Sequence, residues 1–471
     1  MKNKFYLTCA IPYVNSPPHV GHVLGFVQGD TIARYHRLLG EDVLALSGGD
    51  ENALKNVQAA EKAGEPIKEF IDRNTQLFFD LTKKLNVQFD VWQKGSDQKT
   101  HFPSSQKLWK LCEKDIYTKK YSGLYCVGCE TFYEKEELNE KGECFEHPGK
   151  KLDEVEEENY FFKLSRYQDQ LIKLIESSEL EIVPEERKNE VLSFLKGGLQ
   201  DISISRSNER AKNWGVPVPG DDKQRIYVWF DALNIYQSGI GFGWDEEKYK
   251  KWWPADVHVI GKGIIRFHAV YWPAFLLSAG LRLPKKLFVH GYYTVNGQKM
   301  SKTIGNVYDP IPLLEKYGAD PLRYYCLAKT SPFTDGDFSE EKFIEAYNSN
   351  LANGLGNLVA RVAKLCERIR AKGQGLGAKY ENNELIDGFR FDEALKEIWS
   401  WISELDQIIE KDQPWKLSDE KLGKVLEGYV EKINKIAIAL RPFLPETAEK
   451  ILEQFNGPKI KSGAPLFPRI K

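Results

Sequence analysis

The first 47 residues alternate in a way that few folds accommodate. Phe5 to Ala10 is a short apolar run closed by Pro12, and Pro17 and Pro18 bar any helix before His19. From Gly21 to Leu39 apolar residues recur at helical spacing. Val20, Val23, Leu24 and Val27 share one stripe, and Gly40 stands as a C-terminal stop. Val43 to Leu46 reads as a second buried strand. Strand, turn, helix, strand is a βαβ unit. It requires a parallel sheet, and such a sheet places ligands at its carboxyl edge.

The α/β alternation returns with Ile226 to Phe230, a strand at Val257 to Ile260, a helix over 264–280 and a strand at Leu287 to His290. Asn296-Gly297, inside Tyr292 to Lys302, predicts a hairpin. Residues 115–210 break the pattern with clustered cysteines and an acidic run, Asp153 to Glu158, of which Glu156 to Glu158 reads as a solvated edge. From Ala346 onward three apolar stripes at helical spacing predict a bundle. They are led by Leu351, Leu395 and Leu422. The expected fold class is α/β, a Rossmann-like parallel sheet with an insertion, followed by an all-α bundle. The expected division is 1–114 and 216–345 for the two halves of the sheet domain, 115–215 for the insertion and 346–471 for the bundle.

Composition narrows the function. The chain has 471 residues, 42% hydrophobic and 12% aromatic, enough for several cores and too apolar for wholesale disorder. A net charge of −2 excludes a histone-like polycation. The longest apolar stretch, Phe267 to Leu281, contains His268 and Pro273 and is too short to span a bilayer. Pro12 breaks the N-terminal run, which argues against a signal peptide.

Three motifs carry chemistry. His19-Val20-Gly21-His22 sits at the strand-to-helix turn, where free N–H groups and the helix dipole favour phosphate. Two histidines one turn apart can donate to phosphate oxygens, and Gly21 lets a nucleotide approach the backbone. Alone, the motif reads equally well as two surface histidines. No Walker A sequence is present, and no GxGxxG follows the first strand. Lys299-Met300-Ser301-Lys302-Thr303 follows the hairpin. Its two lysines can grip a triphosphate and follow charge onto pyrophosphate; alone, they read as a solvated loop. Met300 is the only methionine besides Met1, a packing anchor in that loop. Cys126-x2-Cys129 followed by Cys144-x2-His147 matches a tetrahedral Cys3His zinc site, structural because four protein ligands leave no position for water. The alternative is a disulfide with spare thiols, which a reducing compartment disfavours. Cys9, Cys112, Cys326 and Cys366 read as small core residues.

The pairing of HVGH near the first strand with KMSK at the far end of the α/β region resembles the class I aminoacyl-tRNA synthetases, with Thr303 in place of the usual serine. Cys9-Ala10-Ile11-Pro12-Tyr13-Val14-Asn15, Tyr227 to Leu233 and Phe267 to Pro273 are similar to the methionyl-tRNA synthetases, and the resemblance runs over nearly the whole chain. It implies a zinc-bearing connective insertion and a helical anticodon-binding domain. It also implies two steps: methionine and ATP give methionyl-adenylate and pyrophosphate, then the methionyl group passes to the 2′-hydroxyl of the terminal adenosine of the methionine tRNA. His19, His22, Lys299 and Lys302 would be catalytic, with Gly21, Gly261, Lys262 and Ser301 also on ATP. The methionine pocket would be Ala10, Ile11, Tyr13, Trp229, Ala232, Leu233, Tyr236, Ile264 and His268, with Asp50 holding the ammonium. A thioether is soft and apolar, which suits aromatic walls, and His268 and the Tyr13 hydroxyl could hydrogen-bond the sulfur. Taken alone, Trp229 reads as core packing. Asn357 and Arg361, one helical turn apart, and Trp415 would contact anticodon bases; without the resemblance they read as a cap, a solvated arginine and a buried tryptophan. The implied cofactors are structural Zn2+ and Mg2+ with ATP. The implied partners are L-methionine, ATP and methionine tRNA, with no membrane, in a cytoplasmic monomer.

Two positions depart from the family pattern. Asn52-Ala53 follow Asp50-Glu51 where His-Gly is usual, and Gly263 follows Gly261-Lys262 where Asp is usual. That Asp is expected to help hold the ATP ribose, so either ATP binds more weakly here or Glu51 or water substitutes. Asp231 is expected to anchor the loop around the pocket, and Asp320 and Arg323 to pair between sheet domain and bundle. Two rival functions stand beside this one: another class I synthetase of the Leu/Ile/Val/Cys group, and a non-catalytic tRNA-binding relative.

Overall fold

The computed structural model describes residues 3–128, 131–133, 135–146, 148–295, 297–300, 306–373 and 380–470. Six parallel strands form the central sheet. They are β1 (Lys4–Cys9), β2 (Asp42–Gly49), β3 (Val91–Lys94), β4 (Glu181–Val183), β5 (Val257–Gly261) and β6 (Lys286–His290), in the order β3-β2-β1-β5-β6-β4. Helix α1 (Val20–Leu38) joins β1 to β2, and Gly40 ends the helix at a φ of 86°. The strand order reverses between β1 and β5. A crevice therefore opens at the carboxyl ends of these two strands.

Side chains alternate between two cores. Leu7, Cys9, Ala45, Val257, Val259 and Phe288 face one buried cluster, which continues into the bundle. Tyr6, Leu44, Leu46, Ile260, Leu287 and Val289 face the other. The period of two along each strand places these clusters on opposite faces of the sheet.

The span expected to be an insertion does two things. Ile116–Cys126 pairs antiparallel with Asp153–Phe162, flanked by Thr131–Tyr133 and Ile202–Ser203. Glu181–Val183, however, leaves this small sheet and becomes β4, the edge strand beside β6. A three-residue strand is too short to show a period in sequence. The helix expected over 264–280 is also not uniform. A π-type turn, Phe267–Tyr271, runs without a break into Trp272–Ser278, and this wider turn falls where Pro273 has no N–H to donate.

The C-terminal part is helical from Glu340. A continuous run through Tyr347–Gly356 leads into α2 (Asn357–Arg368). It is followed by α3 (Phe391–Asp412), α4 (Asp419–Leu440) and α5 (Pro445–Asn456). Leu351, Leu355, Leu358 and Val362 are buried, as are Leu395, Ile398, Ile402, Leu405 and Ile409 of the second stripe and Leu422, Leu426, Tyr429, Ile433, Ile436 and Leu440 of the third, while Val425 is half-buried. Arg323 does not pair with Asp320. Its Nη1 lies 2.7 Å from Asp30 Oδ2 of α1, both side chains fully buried, while Nε and Nη2 donate to Phe443 O and Pro442 O. Asp320 instead accepts from the Thr447 N–H at 2.6 Å. The two residues thus join sheet domain and bundle as expected, each by reaching to another element rather than to the other.

Candidate active site

A cavity of about 940 Å³ occupies the crevice between β1 and β5. One end is aromatic. Ala10, Ile11 and Tyr13 continue from β1, Trp229, Ala232, Leu233 and Tyr236 come from the two short helices after Ile226, and Ile264 and His268 follow β5. Asp50, at the end of β2, is bridged to Tyr13 and closes the floor. All ten residues expected to form the methionine pocket and ammonium site line this one space. Trp229 stacks on Phe267 at 3.7 Å, nearly parallel, and meets Tyr13 edge-on at 6.2 Å.

His268 is engaged within the protein. Its Nδ1 lies 2.9 Å from Ile264 O, so this nitrogen carries the proton, and Nε2 accepts from the Tyr236 hydroxyl at 2.9 Å. Burial pushes the ring down to about 4, so it stays neutral near pH 7. A neutral His268 in this tautomer has no proton for a sulfur atom, contrary to the expectation. The pocket end is thus apolar in its donor chemistry at His268, and ring contacts remain the feature suited to a thioether.

The other end of the cavity is the N-terminus of α1, lined by His19, Gly21 and His22. His19 is the N-cap. Its Nδ1 accepts from Gly21 N–H at 3.1 Å, and His22 Nδ1 accepts from His19 N–H at 3.1 Å. Both neutral rings therefore carry their proton on Nε2. The two rings lie 4.0 Å apart, and Phe78 meets His22 edge-on. This reciprocal cap satisfies orphan helix N–H groups and aims two N–H donors as a pair.

Met300 lines the cavity beside these histidines. The backbone of Lys299 ends the short strand that pairs with Tyr293–Val295, while Ser301 and Lys302 lie outside the described residues. Gly261 lines the cavity; Lys262 turns away, its Nζ 2.7 Å from Asp335. Gly263 is explained by Tyr292. A Cβ at residue 263 would stand 2.1 Å from the Tyr292 hydroxyl, which instead accepts from Gly263 N–H at 2.6 Å. Glu51 is not available as a substitute. It is fully buried, accepting from Thr75 Oγ1 and from Ser96 N and Oγ. Asn52 bridges Gly95 O and Asp231 Oδ2, and Asp231 also accepts from Ser105 Oγ and lies 2.7 Å from His101 Nε2. Asp231 thus anchors the aromatic helix from beneath.

Sequence reasoning missed His290, Tyr292 and the stretch around Glu146 and Lys150, all of which line the cavity. His290 ends β6, and the carboxyl end of a parallel strand was the available signal. Elsewhere, Cys126 and Cys144 are buried with sulfurs 3.3 Å apart, beyond disulfide length. Cys129 and His147 lie outside the described residues, and among the described ones no group of three or more ligand residues is placed to hold a metal. In the bundle, Arg361 lies 5.3 Å from the ring of Trp415 and pairs with Glu410, while Asn357 and Trp415 are exposed. Among the described residues no helix is long and apolar enough to cross a membrane.

The family described as tRNA synthetases class I (M) matches residues 5–363. A Thermotoga maritima protein named methionine–tRNA ligase is 40% identical over 99% of this chain and 80% of its own length. One from Brucella melitensis is 39% identical over 98% and 93%. A Mycobacterium tuberculosis methionyl-tRNA synthetase solved with methionyl-adenylate superposes with a TM-score of 0.89 at 35% identity, covering 99% of both chains. With the aromatic pocket, the histidine cap and Met300 all lining one crevice, and with relatives of this identity over nearly the whole chain, the chain belongs to the class I methionine–tRNA ligase family.

Proposed function

We infer that this chain charges methionine tRNA through a methionyl-adenylate. The observation that carries the reading is the continuity of one cavity from an aromatic, sulfur-compatible pocket to a paired-histidine helix cap. Asp50 holds the substrate ammonium and the aromatic walls take the side chain. The methionine carboxylate then lies toward the cap, where it attacks the α-phosphate of ATP and displaces pyrophosphate. The Nε2–H groups of His19 and His22, with Lys299 and Lys302, stabilise the charge that builds on the phosphate oxygens. No side chain becomes covalent, so catalysis rests on positioning and electrostatics. Mg2+ carried by ATP supplies further charge. At the nucleotide end, the Tyr292 hydroxyl accepts from Gly263 and has its own proton to donate. We assign it the ribose-side contact that an Asp at residue 263 would otherwise make.

Cys126, Cys129, Cys144 and His147 would hold a structural zinc in this reading. The Cys126 and Cys144 sulfurs, 3.3 Å apart, are too far for a disulfide and near enough to serve one metal ion. Bound there, zinc would order the insertion that carries Glu146 and Lys150 over the cavity. Asn357, Arg361 and Trp415 present an exposed ring, a guanidinium and an amide on one bundle end, which suits anticodon bases.

ATP–pyrophosphate exchange with each amino acid in turn tests the reading. Exchange with methionine alone is expected. Exchange with leucine, isoleucine, valine or cysteine instead would reject the specificity, and absence of exchange with tRNA binding retained would identify a non-catalytic relative.

A further inference from the structure

The helix Leu54–Ala63 begins just after Asp50, and its own physics gives no reason for a lysine in the first turn. Its N-cap, Ala53, makes no side-chain bond to the free N–H groups, and the first turn holds no acidic residue. The helix dipole disfavours a cation there. Lys55 nevertheless stands at the second helical position. Two contacts outside the helix account for it. Its Nζ sits over the face of the Tyr13 ring, 2.8 Å from the centroid, and donates to Gly128 O at 3.3 Å. Tyr13 lines the main cavity and Lys55 does not, so the ammonium meets the ring from behind the pocket wall. The same ring meets Trp229 edge-on. Tyr13 is thus held between a cation and the tryptophan of the methionine pocket.

The backbone beneath Lys55 is fixed on both sides. Asn56 Nδ2 donates to Asp50 O at 2.8 Å, and Asp50 is bridged to Tyr13, so lysine, carboxylate and ring share one frame. Trp214 Nε1 donates to Glu51 O at 2.8 Å, and Lys212 pairs with Glu61 at 2.6 Å, which docks this segment on the insertion. Gly128, between Cys126 and Cys129, makes a further contact with it through Lys55 itself. Anchoring at Gly128 O restricts the lysine before any substrate arrives, so the cost of ordering it does not fall on binding. A cation over an aromatic face is also stronger where water is partly excluded, and Lys55 is half-buried. We propose that Lys55 is a positioning residue for methionine: its ammonium, anchored at Gly128 O, holds the Tyr13 ring beside Trp229 as a pre-formed wall. It touches no substrate. The proposal rests on the methionine pocket inferred above. The wall serves the amino acid and not the nucleotide, so Lys55 acts on methionine binding and leaves ATP binding alone.

Lys55→Met, which keeps the length and apolar stem and removes the charge, tests this in the full chain, with Lys55→Gln as a second neutral variant and Lys55→Arg as the conservative one. Methionine affinity is measured by equilibrium dialysis without ATP, and both KM values by pyrophosphate exchange. Each neutral variant is expected to weaken methionine binding and raise the methionine KM about fivefold, the scale of one partly desolvated cation–π contact. The KM for ATP should stay within about twofold of the parent, the scatter expected of an uncoupled site. Lys55→Arg should restore most of the methionine affinity. In a Tyr13→Leu background, where no ring remains to hold, Lys55→Met should change methionine affinity by no more than about twofold. Unchanged methionine affinity in the neutral variants, an equal rise in the KM for ATP, no recovery in Lys55→Arg, or the same fivefold loss in the Tyr13→Leu background would each overturn the proposal. Failure of the parent to bind methionine would overturn the pocket reading and the proposal with it, whereas normal binding by the parent and the neutral variants alike would overturn the proposal alone.

Discussion

The terminal methyl of Met300 sits 2.9 Å from the point where a Cβ on Gly21 would project, and His19 Cε1 is equally close. The two signature segments, far apart in sequence, therefore meet through a methionine methyl and a glycine. Gly21→Ala should push both His19 and Met300 outward. Misplacement of catalytic groups on the scale of an ångström typically costs on the order of 100-fold, so exchange should fall by about that factor with thermal stability little changed. A drop confined to the methionine KM would contradict this placement.

Tyr292→Phe removes one donor at the nucleotide end and leaves the ring in place. A neutral hydrogen bond of about 1 kcal/mol predicts a rise of roughly fivefold in the KM for ATP, with the KM for methionine unchanged. Gly263→Asp alone should not restore binding, because its Cβ would collide with the Tyr292 hydroxyl. Measuring both constants in the exchange assay checks this. A methionine effect as large as the ATP effect would place Tyr292 elsewhere in the reaction.

His268 links acid sensitivity to the pocket. Its folded pKa, pushed down to about 4 by burial, is below the unfolded value of about 6.5. The unfolded chain therefore binds the proton more readily. The stability at stake is fully present above pH 6.5 and is lost as the pH falls toward 4, by at most about 3 kcal/mol. His258, also driven down by burial beside His268, adds to the same trend. His268→Gln should flatten part of the loss of urea stability between pH 6.5 and 4. An unchanged slope would show that other groups set it.

The cysteine pair predicts a metal content. Protein purified without chelator should contain about one zinc per chain, and Cys144→Ser should lower it together with the melting temperature of the insertion. Pyrophosphate exchange should respond less than stability, because the ligands lie apart from the phosphate-binding cap. Zinc absent by mass spectrometry from active enzyme would reject the site.

Trp415, 46% exposed beside Arg361, should matter only when tRNA is present. Trp415→Ala should raise the KM for tRNA by a factor of about 5 to 150, the equivalent of about 1–3 kcal/mol of base stacking, and spare exchange. Equal loss in both assays would mark Trp415 as structural.

Local patterns were legible where a single element carried the signal. The strand at Phe5, the helix start after Pro18, Gly40 and the apolar stripes of the bundle all follow from spacing and stop residues. The ten pocket residues were legible only through resemblance, since an isolated Trp229 looks like any buried tryptophan. Contacts between distant elements left no trace. Arg323 bonds to Asp30 rather than to nearby Asp320, Tyr292 makes Gly263 necessary, and the Tyr236 hydroxyl takes the nitrogen of His268 that sulfur was expected to meet. Each depends on which side chain tertiary packing delivers, and a one-dimensional period contains no such information.

The edge strand Glu181–Val183 has a consequence for how this protein can change length. Because it pairs with Lys286–Phe288, the segment between the two sheet halves is no detachable cassette. Trimming or grafting within the Cys126 to Asp153 loop leaves the central sheet whole. A cut that removes residue 182 bares the backbone of β6 to solvent and to other chains. Circular permutants, split versions and domain exchanges of this molecule should therefore place their junctions before residue 164 or after residue 199, and keep everything between with the catalytic half.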